Sequence, residues 1–255
     1  MASSPDSHPK VALFVTCLVD LVRPNVGFAA VKLLKQAGCE VHVPMQTCCG
    51  QPAWNSGADR HAADLARAVI AAFEPYDYVV APSGSCAGMI RRHYPEVFEG
   101  DPDWLPRART LAAKTHELVS FLVNVRGMKE VEARCPARAC YHDSCSSLRE
   151  MGVKAEPREL LSSVNGLSLA EIAEPEVCCG FGGLFSVKYP DISERMADDK
   201  IADAQATGAG LLLGGDLGCL LHLKGRMQKQ GVAMEVRHVA EVLADMTDEP
   251  PLGST

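Results

Sequence analysis

The chain has 255 residues, of which 47% are hydrophobic and 22% are charged, so it is long enough to bury one large α/β core or two smaller lobes. Its formal net charge is −7 and its Lys and Arg residues form no basic cluster, which argues against nucleic acid as the main partner. Eleven cysteines and no apolar leader differ from the pattern of a short secreted disulfide scaffold, so we expect a cytoplasmic protein with reduced thiols.

The first half alternates between strand and helix patterns. The predicted elements are strands at 11–15, 39–45 and 76–82 and helices at 26–37 and 61–74. Each strand leads into cysteine: the first into Cys17, the second into Cys48 and Cys49, and the third into Cys86. Parallel strands end at one edge of a sheet, so we expect these four thiols to meet there.

The second half repeats this alternation. We predict strands at 137–143, 167–172, 209–213 and 234–237 and helices at 190–206 and 238–245. All the apolar runs are strand-sized and fall far below the roughly 20 residues of a membrane span, so we expect none. We expect segments 1–10 and 247–255 to be disordered tails.

The cysteines repeat at nearly constant offsets. The offset is 128 residues from Cys17 to Cys145, 130 from Cys48 to Cys178 and 133 from Cys86 to Cys219. A duplicated β-α-β-α-β unit with a parallel sheet explains this pattern, with metal centres at the carboxyl ends of the strands. The fold class is therefore α/β, with lobes at 11–130 and 131–246.

The repeated cysteines are the candidate metal and cofactor ligands. Soft thiolates favour iron–sulfur clusters, zinc or Cu(I). Two adjacent cysteines in a turn reach two irons of a cluster more easily than one tetrahedral ion, and the glycine after each pair lets the backbone bend tightly. The eight candidates are Cys17, Cys48, Cys49, Cys86, Cys145, Cys178, Cys179 and Cys219.

Two polar residues before Cys145 are candidates for a catalytic role. The imidazole of His142 is suited to hydrogen-bond a cluster sulfur or to relay a proton with Asp143, and the pair equally suits a strand-end cap. We interpret His222 and His238 as structural residues that could also face the second centre. Three further cysteines read as small buried hydrophobes: Cys39, Cys135 and Cys140. The glycines after Cys179 favour a tight turn over a phosphate loop.

The whole pattern resembles the cysteine-rich CCG domain of heterodisulfide reductase B subunits, glycolate oxidase iron–sulfur subunits and lactate utilization proteins of type A. The resemblance runs from Cys17 through 237–243, and the segments 82–89, 141–145 and 178–183 are most similar to the lactate utilization subgroup. In the disulfide reductases each half has a fifth cysteine, where this chain has Ser83 and Asp216. Four thiolates suit a single [4Fe–4S] cluster per half, so the chain would hold one or two clusters, and zinc in one half stays open.

The resemblance implies an iron–sulfur electron-transfer subunit of an L-lactate to pyruvate oxidation complex, which makes the chain an oxidoreductase subunit. It implies a ferredoxin-like iron–sulfur subunit and a third small subunit as partners. Two alternatives stay open: a disulfide or quinone reductase component, and a zinc-stabilised scaffold without a redox role.

Overall fold

The computed structural model describes residues 8–254 and contains two four-stranded parallel sheets, each flanked by helices. This confirms the predicted α/β class and its duplicated parallel lobes. Most of the segment predicted as an N-terminal tail lies outside the described residues, and its last residue, Lys10, already opens the first strand. No helix in the described part of the chain is both long and apolar enough to cross a bilayer.

From residue 8 onwards, the first lobe contains a sheet in the order β2-β1-β3-β4, together with eight helices and two π-helical turns. Its elements are β1 (Lys10–Leu13), α1 (Cys17–Val22), α2 (Pro24–Gln36), β2 (Glu40–His42), α3 (Gln51–Asn55), α4 (Asp59–Phe73), β3 (Tyr78–Ala81), α5 (Gly84–Gly88), a π-helical turn (Met89–His93), α6 (Tyr94–Val97), α7 (Trp104–Ala113), β4 (Thr115–Glu117), α8 (Leu118–Ser120) and a second π-helical turn (Phe121–Val125).

The second lobe has the equivalent strand order, β6-β5-β7-β8. Its elements are β5 (Arg134–His142), α9 (Cys145–Arg149), α10 (Ala155–Ser162), β6 (Asn165–Ala170), α11 (Leu184–Lys188), α12 (Pro190–Ala206), β7 (Leu211–Gly214), α13 (Leu217–Gln230), β8 (Glu235–His238) and α14 (Val239–Leu243).

The strand order explains where the cysteines meet. In each sheet the order reverses between the first strand and the third, and parallel sheets bind ligands at the carboxyl ends of strands at such a point. Cys17 follows β1, and Cys86 follows the adjacent β3. Cys145 and Cys219 have the same positions after β5 and β7. The topology thus brings distant cysteines together in each lobe.

The sheets carry more strands than the predicted three-stranded unit in the first half. The added strand, β4, has only three residues and pairs with β3 at the edge of the sheet. The second lobe repeats it as β8, which the sequence predicts. The 14-residue helix α13 and the shorter α10 were not predicted.

The two lobes share one apolar core. Buried side chains of α2, such as Leu33, belong to the same cluster as Leu160 of α10 and Leu243 of α14. At the edge of this interface, Arg23 pairs with the fully buried carboxylate of Glu241 at 2.8 Å. Helices α5 and α9, which carry cysteines of different lobes, also pack against each other.

The C-terminal segment differs from the expected disordered tail. Leu252 is buried, and its backbone N–H donates to the carbonyl of Val236 at 3.0 Å. The guanidinium of Arg237 donates to the carbonyl of Glu249 at 2.7 Å. A single apolar anchor and these backbone contacts hold the segment against β8, which a composition rich in proline and glycine does not reveal.

Candidate metal centres

The first group of cysteines is positioned by helix caps. Thr16 caps α1, where its hydroxyl accepts the N–H of Val19 at 3.3 Å, and so fixes the turn that carries Cys17. Ser83 caps α5 in the same way and accepts the N–H of Cys86 at 3.4 Å. The thiols of Cys17 and Cys86 therefore lie in the first turn of a short helix at the end of a strand.

The four thiols of this group form a continuous chain of contacts. The Sγ atoms of Cys49 and Cys86 are 3.5 Å apart. The sulfur of Cys48 accepts the N–H of Gly50 at 3.5 Å. Hydrogen bonds from the thiols of Cys17 and Cys49 lower the pKa of Cys48 to about 2 and raise those of the two donors. The two neighbouring thiols therefore favour the charged form of Cys48.

The second group repeats this arrangement. Hydrogen bonds from the thiols of Cys145 and Cys179 lower the pKa of Cys178 to about 2, and Cys179 also contacts Cys219. The sulfur of Cys178 accepts the N–H of Gly180 at 3.4 Å. The eight candidate cysteines therefore form two groups of four, and all are free thiols.

The burial of the thiols follows the same pattern in both groups. The second cysteine of each adjacent pair and the cysteine after the third strand are buried, and the other two are more accessible. In the first group Cys49 is 3% exposed and Cys17 is exposed. Each set of four cysteines thus has a buried inner side and an accessible outer rim, so a bound metal or cluster would be enclosed on one side only.

The turn after each adjacent pair requires glycine. Gly50 and Gly180 both have φ of +86°, a left-handed conformation that other residues rarely adopt. A Cβ on Gly180 would lie 2.5 Å from the carbonyl oxygen of Ser193, whereas a Cβ on Gly50 would meet nothing closer than 3.5 Å. The hydroxyl of Tyr94 donates to the carbonyl of Cys49 at 2.9 Å and holds the first turn in place.

The second group contains an imidazole as well. His142 is 1% exposed, and one of its ring nitrogens lies within 4.8 Å of the sulfurs of both Cys179 and Cys219. Neither ring nitrogen has a hydrogen-bond partner among the described residues. Burial lowers the pKa of His142 to about 4, so the ring is neutral at physiological pH.

Asp143 lies elsewhere, although it is the next residue in the chain. Its carboxylate oxygens accept two hydrogen bonds from Arg158, at 2.9 and 2.8 Å, and Arg158 also pairs with Glu171. The structure therefore separates the two candidate catalytic residues: His142 faces the thiols and Asp143 is held in an ion pair.

The remaining histidine candidates have structural contacts. His222 lies 3.2 Å from the hydroxyl of Ser193 and packs against Phe181. His238 caps α14 by accepting the N–H of Ala240 at 3.2 Å. Cys39 and Cys140 are buried in the apolar core, and Cys135 is partly buried, as their interpretation as small hydrophobes predicts.

A cleft between the lobes has two adjoining cavities, one open to Cys145 and Cys219 and the other to the four cysteines of the first group. Five residues line both cavities: Gln51, Ser85, Phe181, Gly183 and Asp216. The sequence pointed to Asp216 and to the glycine turn, but not to Gln51, Ser85 or Phe181. One carboxylate oxygen of Asp216 accepts the hydroxyl of Ser83 and the N–H of Ser85, each at 3.0 Å. The two residues at the positions of the missing fifth cysteines therefore bond to each other across the lobes.

The donor set fits a thiolate-ligated metal or iron–sulfur group. Each half offers four free sulfurs in mutual contact and an accessible rim. The unpartnered nitrogens of His142 also indicate a group that is bound beside them, because buried polar atoms are normally satisfied.

Comparison with known proteins agrees with this geometry. The model of the cysteine-rich domain family, CCG, matches residues 11–91 and 139–224, which contain all eight cysteines of the two groups. The chain is 50% identical to a lactate utilization protein A of Exiguobacterium sp. over 238 residues, which are 92% of this chain and 97% of that protein. It is also 50% identical to a lactate utilization protein A of Geobacillus thermodenitrificans over 235 residues, 92% of this chain and 98% of the relative.

A crystal structure of a hypothetical protein from Helicobacter pylori shares the fold. The TM-score is 0.68 at 12% sequence identity, over 96% of this chain and 50% of that chain. With the duplicated cysteine pattern and the half-identical relatives, the conclusion follows that the chain belongs to the cysteine-rich CCG domain family, together with the type A lactate utilization proteins.

Proposed function

We propose that the chain is the iron–sulfur electron-transfer subunit of a system that oxidises L-lactate to pyruvate. The observation that carries the proposal is the pair of four-thiol groups at the switch points of two equivalent sheets. The role in lactate utilization is supported by relatives that carry that name and match 92% of the chain at 50% identity.

Each group would hold one [4Fe–4S] cluster through its four cysteines, and such a cluster carries one electron when bound. The chain's own contribution is to assemble the ligands and to shield them. The backbone N–H groups of Gly50 and Gly180 donate to thiolate sulfurs, which stabilises the charged form that metal binding requires. The buried inner cysteines exclude water from one side of the group.

Two centres suit a substrate that gives up two electrons, as lactate does on conversion to pyruvate. Ser83 and Asp216 occupy the positions of the fifth cysteines and bond to each other across the lobes, which supports centres held by four sulfurs each. The disulfide reductases have a fifth cysteine at these positions, so a heterodisulfide or quinone reductase component is disfavoured.

Electrons would be exchanged with partner proteins, for which we propose a ferredoxin-like iron–sulfur subunit and a third small subunit in the cytoplasm. Exposed apolar side chains of the first lobe support such contacts. Leu21 of the Cys17 helix is 80% exposed, Phe28 of α2 is 66% exposed, and Met45 is 96% exposed. Large apolar side chains on a surface favour protein–protein contacts.

A second candidate is a zinc-stabilised scaffold. The compact set of His142, Cys179 and Cys219 supports it, since imidazole and thiolate are the usual ligands of structural zinc. That set lies only in the second lobe, however, and the adjacent cysteine pairs of both lobes favour clusters.

Metal analysis of the anaerobically purified protein tests the proposal. We expect about four irons and four sulfides per half, together with broad absorbance near ~400 nm. Cys49→Ser and Cys179→Ser should each remove one centre, whereas Cys140→Ser, a buried free cysteine outside both groups, should remove none. A colourless protein with stoichiometric zinc and no iron would establish the scaffold function instead.

The lactate role needs a separate test. Deletion of the gene should abolish growth on L-lactate as the sole carbon source, and the gene with Cys49→Ser and Cys179→Ser should not restore it. Normal growth of the deletion strain, in a background without another lactate dehydrogenase, would contradict the assignment.

A further inference from the structure

The two halves repeat their cysteines but differ in the side chains behind them. Superposing Cys17 on Cys145 in the sequence places Phe14 at the position of His142. Phe14 is fully buried and packs against Phe73, with ring centroids 5.4 Å apart. The first centre thus has an apolar ring where the second has an imidazole with no hydrogen-bond partner in the described part of the chain.

A second difference lies on the helix behind each cysteine pair. The turn at Gly50 packs against Ala62 and Leu65 of α4, and the turn at Gly180 packs against Ser193 and Met196 of α12. This correspondence places Val69 of α4 at the position of Lys200 of α12. Val69 is fully buried in the first apolar cluster, whereas Lys200 is a lysine with 2% exposure.

Lys200 is a buried lysine whose charge interacts with Cys178 and Cys179 of the second group. Its ammonium donates to the carbonyl of Glu174. Burial lowers its pKa, and attraction from Asp203, Cys179 and Asp143 opposes that shift. Asp143 itself is paired with Arg158. The carboxylate of Asp216 lines the cleft on the side of both groups. Its negative charge raises the pKa of Cys145 and Cys219, so it opposes part of the effect of Lys200.

These two residues would affect a bound cluster in the same direction. Adding an electron makes a cluster more negative, so a nearby positive charge or a hydrogen bond to its sulfurs stabilises the reduced form. The second half already supplies four thiolates, so the imidazole of His142 is not needed as a ligand. Its N–H would be available to donate to a sulfur of a bound cluster. Phe14 and Val69 offer the first centre neither contribution.

Resting on the proposed iron–sulfur function, we propose that the second centre has the higher reduction potential of the two, because His142 and Lys200 stabilise its reduced form. His142 acts by donating its N–H to a cluster sulfur, and Lys200 acts through its positive charge. The electron would therefore reside preferentially on the centre held by Cys145, Cys178, Cys179 and Cys219.

A redox titration of the anaerobic holoprotein, followed by electron paramagnetic resonance, tests this inference. Cys49→Ser and Cys179→Ser identify which signal belongs to which centre. His142→Phe places in the second half the residue found in the first. It should lower the reduction potential of the second centre by at least about 59 mV, which is a tenfold change in the one-electron equilibrium constant. Lys200→Met should lower the same potential.

Two variants serve as controls. His142→Asn keeps an N–H donor and should retain most of the wild-type potential, and Phe14→Leu should leave the second centre unchanged. Iron content is measured for every variant, so that if His142→Phe loses its cluster, His142→Asn and Lys200→Met still decide the outcome.

The inference is overturned if the first centre is reduced at the higher potential, or if neither His142→Phe nor Lys200→Met shifts the second centre. Wild-type protein that binds no iron would instead overturn the proposed function, so the two failures are distinguishable.

Discussion

Glu117 shows how strongly one buried residue responds to its surroundings. It ends β4 with 2% exposure, and its carboxylate accepts the N–H of Ser120 at 2.9 Å. Burial raises its pKa from 4.5 to about 7, against the lowering effect of the backbone hydrogen bonds. The folded protein therefore binds this proton more tightly than the unfolded chain does.

The raised pKa predicts a pH-dependent stability. The contribution of Glu117 is fully present below about pH 4.5 and is lost as the pH rises through 7. Between pH 5 and 8, wild-type protein should lose a few kcal/mol more of its free energy of unfolding than Glu117→Gln, on the order of the shift in pKa. Urea unfolding at both pH values measures this difference.

Exposed Glu132→Gln is the matched control for that experiment. The thiols titrate in all three proteins and cancel in the comparison. Equal pH dependence in wild type and Glu117→Gln would contradict the prediction.

The candidate residues could be predicted from the sequence to different extents. The cysteines could, because the duplicated spacing marks them independently of any structure. The roles of His142 and Asp143 could not be separated, because consecutive side chains at the end of a strand point to opposite sides and the register decides which one faces the thiols. Asp216 was noted only as a missing cysteine, and its bond to Ser83 depends on how the lobes pack.

At the scale of elements, the sequence predicted the bounds of most long helices better than the ends of strands, and it missed one long helix. The predicted helix at 190–206 coincides with α12. The predicted strand at 39–45 shrinks to Glu40–His42, because Val43 and Met45 continue the alternation without strand pairing and are exposed. Helix α13 carries Leu220, Leu223 and Met227 at helical spacing, so its signal was present but was not recognised.

The two cysteine turns predict unequal responses to the same substitution. Gly50 and Gly180 share φ of +86°, so an alanine at either position has the same backbone strain, about 1–2 kcal/mol. Gly180→Ala adds a 2.5 Å contact with the carbonyl of Ser193. We expect it to lower the melting temperature further than Gly50→Ala and to release iron from the second centre alone. Equal losses of stability and iron in the two variants would contradict this prediction.

At the scale of the molecule, the duplication was predictable but the contact between its two copies was not. Periodicity describes a helix face, whereas the shared core combines α2 with α10 and α14, which are far apart in the chain. The lobes approach each other closely at α5 and α9, where a Cβ on Gly84 would lie 2.0 Å from the hydroxyl oxygen of Ser147 and 2.7 Å from its backbone nitrogen.

That approach predicts a large effect of one methyl group. Gly84→Ala should force α5 and α9 apart and lower the free energy of unfolding by several kcal/mol, as overpacking against a backbone does. Gly225→Ala in α13 is the control, because a Cβ there meets nothing within 4 Å and should stabilise the helix by up to about 1 kcal/mol. Denaturant unfolding compares the two variants, and wild-type stability in Gly84→Ala would refute the proposed packing.

The bond between Ser83 and Asp216 links two properties that are usually independent. Asp216 caps α13 through the N–H of Gly218 and also fastens the start of α5 in the other lobe. A cysteine at either position would add a sulfur to one centre and remove this hydrogen bond between the lobes. The same two residues therefore determine both the number of sulfurs available to a centre and the rigidity of the cleft.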